Sequence, residues 1–136
     1  MRSRHYRDPR SGFEIALPSG WRQPGLLSRV LRKGDPEFYG PKGTSIKFAV
    51  GPIDPFITVE QQKRNLTGIA ARYGHEVLSV GEIENGFKKH ATMTCVVPQV
   101  GTLKNYSLIF SGVEYFVTAR GDFDVVDAIV ATFMAP

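Results

Sequence analysis

One hundred and thirty-six residues, 42% of them apolar and 22% charged, suit one globular domain with enough apolar material for a real core. The lone cysteine, Cys95, excludes an intramolecular disulfide framework, a Cys-x-x-Cys redox pair and a cysteine-based zinc knuckle. The net charge of +4 is unevenly spread: residues 1–33 carry eight Arg and Lys against Asp8 and Glu14, and the rest of the chain is net acidic.

The front end reads as a basic arm over residues 1–11, with Arg2, Arg4, Arg7 and Arg10 spaced along a terminus expected to be solvated. His5, Tyr6, Arg7, Asp8 and Pro9 stand where a secretory signal would place apolar residues. No run approaches the roughly 20 apolar residues of a membrane span. The expected location of the chain as it stands is therefore the cytoplasm, with export left open for a chain whose signal segment has been trimmed.

Over residues 12–21, Phe13, Ile15 and Leu17 alternate with Glu14 and Ala16, the period of a half-buried strand. Pro18, which has no amide hydrogen for a ladder, and Ser19-Gly20 end it. Trp21 is then expected to plug one end of the core. From 22 to 45 the pattern breaks at Pro24, Gly25, Gly34, Pro36, Gly40, Pro41 and Gly43, leaving room for one short helix at 26–32. Binding residues gather on long loops held by a rigid sheet, so Arg22, Arg29, Arg32, Lys33, Phe38 and Tyr39 form the candidate partner surface.

Ile46, Phe48 and Val50 mark a second strand, stopped by Gly51-Pro52. Thr58 and Gln61 have the spacing of a capping box, and Val59, Leu66, Ile69, Ala70 and Tyr73 recur at helical spacing until Gly74. Glu60, Lys63, Arg64 and Arg72 occupy the other face of that helix. Strands over 77–84 and 87–97 flank an Asn85-Gly86 turn, and strands over 103–110 and 115–120 flank Ser111-Gly112. Asp124 opens a C-terminal helix carrying Phe123, Val126, Ile129, Val130, Phe133 and Met134. This order implies an α+β fold: a layered α/β sandwich with a mainly antiparallel sheet of six or more strands and two main helices, covering one face or both.

Catalytic signals are thin. His90 and Cys95 are five apart on one predicted strand, which points them to opposite faces and excludes a dyad. Cys95 reads as a small core thiol. His5, His75 and His90 are scattered without metal-ligand spacing. Glu82 and Glu84 share a strand face at a separation compatible with paired-carboxylate chemistry, yet beside an Asn-Gly turn they read as solvated. No catalytic, cofactor-binding or metal residue is therefore assigned, and no cofactor is expected. A small hydrolase or transferase would require at least two of His75, His90, Cys95, Glu82 and Asp122 to converge in a pocket. A dedicated nucleic-acid binder shows an ordered basic stripe with stacking aromatics, and the pattern here argues against one.

The stretch from Tyr6 to Trp21, with Gly12, Phe13, Ile15, Leu17, Pro18, Gly20 and Trp21 in order, resembles the opening of PsbP-like and DcrB-like domains. The resemblance implies the fold shared by the PsbP subunit of photosystem II and the Ran-binding Mog proteins, an antiparallel sheet between helical layers. It also implies an accessory or binding role, since family members include photosystem assembly factors, a Ran-binding factor, exported lipoproteins and chaperones that shelter hydrophobic segments of secreted effectors. The chain departs from exported relatives in lacking a signal or lipid-attachment cysteine near its start. The expected function is thus a non-enzymatic protein-binding or accessory domain with a protein partner. The alternative, a chaperone-like module cradling an apolar helix, requires an open apolar sheet face on which residues such as Tyr106 and Tyr115 meet solvent.

Overall fold

The structure, a computed structural model, describes residues 3–22 and 35–136. In chain order its strands are β1 (Ser3–Arg7), β2 (Glu14–Pro18), β3 (Glu37–Tyr39) and β4 (Ser45–Pro52), then β5 (Glu76–Asn85), β6 (Lys88–Val97), β7 (Gly101–Phe110) and β8 (Val113–Arg120). Helix α1 (Val59–Tyr73) separates β4 from β5, and helix α2 (Phe123–Ala131) follows β8. Six strands build one antiparallel sheet in the order β3-β4-β8-β7-β6-β5, while β1 and β2 form a separate antiparallel pair.

The α+β layering matches the sequence reading, but the membership of the main sheet differs from it. The strand after Gly12 pairs with residues 3–7, expected as solvated arm, and not with the main sheet. Burial explains the difference. Tyr6 alternates with exposed His5 and Arg7 and drops its ring against Phe38, with centroids 4.8 Å apart. Asp8 closes the turn that follows: its carboxylate accepts from the Tyr6 hydroxyl at 2.9 Å, the Ser11 amide at 2.9 Å and the Ser11 hydroxyl at 2.6 Å. The sixth strand of the main sheet is β3, which lies inside the stretch read as irregular and is too short to show a period.

Both faces of the main sheet are covered, by different elements. On one face, Ile46, Phe48, Tyr106, Leu108, Tyr115 and Val117 pack with the β1–β2 pair and with Val126, Ile129 and Val130 of α2. On the other, Ala91, Met93 and Cys95 of β6 pack against Leu66 and Ala70 of α1. Helix α1 has the expected capping box: Thr58 Oγ1 accepts from the Gln61 amide and Gln61 Oε1 accepts from the Thr58 amide. Gly74 ends it in the left-handed conformation, φ 71°. Helix α2 is capped two residues before the Asp124 expected to open it, by Asp122, whose carboxylate accepts from the Asp124 and Val125 amides.

The turn between β5 and β6 also differs. Asn85 pairs with Lys88, so the two central residues are Gly86 (φ 61°) and Phe87 (φ 62°), a type I′ geometry in which Phe87 stands fully exposed. Two further links tie the layers together. The Arg22 and Tyr39 backbones exchange hydrogen bonds along the outer edge of β3, and Glu14 exchanges a pair at 2.9 Å with Met134 beyond α2.

Candidate functional site

The proposed partner surface is only partly in view. Arg29, Arg32 and Lys33, with the expected helix at 26–32, lie outside the described residues. At the root of that stretch Arg22 is exposed, and its guanidinium carbon sits 5.8 Å from the centroid of the Tyr39 ring, itself 45% exposed. The Tyr39 hydroxyl donates to Glu37 Oε2 at 2.6 Å, and that bond beside a negative charge raises its pKa. Phe38 is a correction: its side chain faces the opposite way and is fully buried between Tyr6 and Phe48. Strand alternation sends neighbours to opposite faces, so Tyr39 and Phe38 cannot both be surface residues.

Trp21 is buried as expected, and its reason is a close approach. A Cβ placed on Gly40 would lie 2.4 Å from the indole, so only glycine lets the ring close over the end of the core. Beside it, Pro18, Pro41, Lys42, Thr44, Asp122 and Val125 line a cleft of about 300 Å³. Tyr106 and Tyr115 are not open to solvent. Both lie in the core beneath α2, and the Tyr106 hydroxyl donates to Asp127, which also holds Lys104 Nζ at 2.9 Å. Burial and the Asp127 charge raise the Tyr106 pKa.

The five residues, of which an enzyme would need at least two together, are not joined to one another. Cys95 faces α1, within 4.0 Å of Asn105 Oδ1, and burial pushes its thiol pKa up. His90 points into the opposite face, where its Nδ1 accepts from the Ile109 amide at 3.2 Å and Phe110 lies 5.0 Å from its ring. Glu82 is held by Lys63 at 2.7 Å, which lowers the Glu82 pKa and raises that of Lys63. Asp122 caps α2, and His75 lies beside the Tyr73 ring. Among the described residues no hydrogen bond or ion pair joins any two of the five. Among the same residues no group of three His, Cys, Asp or Glu side chains is placed to hold a metal ion.

The larger cleft lies elsewhere, between α1 and β8, with a volume of about 380 Å³. Its floor is Leu66, Ile69 and Phe116, and Gln62 and Ser107 stand buried at one end. There Gln62 Nε2 donates to the Ser107 carbonyl at 2.8 Å, and Ser107 Oγ donates to Glu114 Oε2 at 2.6 Å. Asn65 and Arg72 line the other wall along the exposed flank of α1. The sequence reading missed this site because it counted Ile69 and Tyr73 as core. The structure buries Gln62, Leu66 and Ala70 and leaves Ile69 and Tyr73 exposed. One signal was present: Gly68, in the middle of a helix, where glycine is unfavourable by about 1 kcal/mol relative to alanine.

No protein-family model matches the chain, and no curated protein does. Solved structures do match. The solution structure of cyanobacterial PsbP (CyanoP) from Synechocystis superposes with a TM-score of 0.63 at 12% identity, covering 98% of this chain and 92% of that one. The fold is PsbP-like. A crystal structure from Bacteroides thetaiotaomicron superposes with a TM-score of 0.69 at 14% identity, and this chain, covered completely, spans 49% of that protein. The PsbP-like fold accounts for the Gly12–Phe13 to Gly20–Trp21 pattern in structural terms: Phe13, Ile15, Leu17 and Trp21 are all core residues. Among the described residues no helix of this PsbP-like domain is long and apolar enough to cross a membrane.

Proposed function

We propose that the chain is a non-enzymatic accessory domain of the PsbP/DcrB type that binds a protein partner through the end of the sheet carrying the 22–45 stretch. The observation that supports this reading is the Arg22–Tyr39 pair. Both side chains are exposed while their backbones are locked to each other by hydrogen bonds of 2.8 and 3.2 Å, so the contact surface needs little ordering on association. Arginine and tyrosine are also the residue types that most often anchor protein interfaces. Arg29, Arg32 and Lys33 would extend the surface with positive charge, which favours a partner of acidic character.

The test is quantitative affinity capture from the source organism with the wild-type chain, an Arg22→Glu/Tyr39→Ala variant and an Arg29→Glu/Arg32→Glu/Lys33→Glu variant, each checked for an unchanged unfolding transition. Loss of the same partner from both variants is expected. Retention of every partner by both variants removes this surface from consideration.

A further inference from the structure

We infer that the cleft between α1 and β8 is a binding site for a short zwitterionic peptide of about three residues. Acceptors are concentrated at one end of the cleft. The Ser107 hydroxyl occupies one oxygen of Glu114, and Gln62 spends its amide nitrogen on Ser107, which leaves Glu114 Oε1 and Gln62 Oε1 without a partner among the described residues. Two oxygens, one of them anionic, are the complement of an ammonium group.

A donor stands at the other end: Arg72 lines the cleft there and has no side-chain hydrogen bond or ion pair among the described residues, while Arg64 and Asn65, two and three residues beyond Gln62, line it nearer the acceptors. Arg72 lies ten residues beyond Gln62, about 15 Å along the helix axis. An extended tripeptide separates its terminal charges by about 10 Å, and the reach of the Glu114 and Arg72 side chains covers the difference. Between the two ends, Ile69 and Phe116 offer an apolar floor for the peptide's side chains. The volume of about 380 Å³ falls in the range of small-ligand sites.

One glycine keeps the rim open. Gly68 lines the cleft, and a Cβ there would meet nothing within 4 Å. It has no positive φ, and no neighbour demands so small a residue.

The full chain is titrated calorimetrically with di-, tri- and tetrapeptides built from valine, leucine and phenylalanine, each uncapped, N-acetylated and C-amidated. The uncapped tripeptides are expected to bind, and either cap weakens binding about tenfold. Arg72→Gln weakens the uncapped peptide by a similar factor and removes the penalty of the C-terminal amide. Gly68→Leu fills the rim and abolishes binding, with an unfolding temperature equal to or above wild type because leucine is the better helix former. Absence of binding by every uncapped peptide, or equal affinity for capped and uncapped forms, overturns the inference.

Discussion

The Asn85 side-chain amide donates to the Phe133 carbonyl oxygen at 2.9 Å, and the same nitrogen lies 3.0 Å from the Val130 carbonyl. A residue at the end of β5 thereby satisfies the carboxyl end of α2, which has no basic residue in its last turn and no left-handed cap. Asn85→Ala is expected to lower stability by about 1–3 kcal/mol, seen as a lower urea midpoint with an unchanged slope. Asn85→Asp should be worse than alanine, because it replaces the donor with a negative charge at the negative end of the helix.

His90 gives the domain an acid sensitivity. Its ring is buried, Nε2 has no hydrogen-bond partner among the described residues, and burial together with nearby Lys88 brings its pKa from 6.5 down to about 4. A histidine held neutral in the fold but free to charge when unfolded contributes stability that is complete above pH 6.5 and declines as the pH falls towards 4. The wild-type chain should lose about 3 kcal/mol from this source over that interval. Urea unfolding of wild type and His90→Leu at pH 7.5 and 4 measures it: the variant starts less stable, with the Ile109 amide unpaired, but lacks this part of the pH slope.

Gly40→Ala drives a methyl group into the Trp21 indole, a contact that neither the ring nor the backbone can relieve without opening the end of the core. Overpacking of this kind costs about 1–3 kcal/mol. The sole tryptophan reports it directly: emission should shift to longer wavelength in the variant before any global unfolding.

Phe87 is a site where stability can be gained. A bulky residue at φ 62° in an exposed turn carries strain with no packing to offset it. Phe87→Gly is expected to stabilise by about 0.5–1 kcal/mol, read as a raised thermal midpoint. An unchanged or lowered midpoint would show that the aromatic ring stabilises the turn in some other way.

Elements with a strong local signature were legible from the residues alone. Thr58 with Gln61 and Gly74 bounded α1, and the alternation around Phe48 and Val117 marked strands that bury one face more than the other. Elements defined by what they touch were not. Residues 3–7 carry arginines at a chain end, and only the burial of Tyr6 and Asp8 against other elements makes them a strand. β3 is three residues long and takes its conformation from β4 and Arg22. The α1 cleft stayed hidden because the helical period does not say how far a helix is rolled on its sheet. A roll that buries Gln62 turns Ile69 outward and opens the groove.

The pairing of Glu14 with Met134, and of the Ala16 amide with Thr132 Oγ1 across 116 residues, sets the order in which the domain can be completed. During synthesis the first hairpin leaves the ribosome long before α2 exists, so the side of Phe13 that stacks on Phe133 stays uncovered until the segment after α2 emerges. Contacts so distant along the chain slow the search for the native state and make residues 132–134 the latch of the first hairpin.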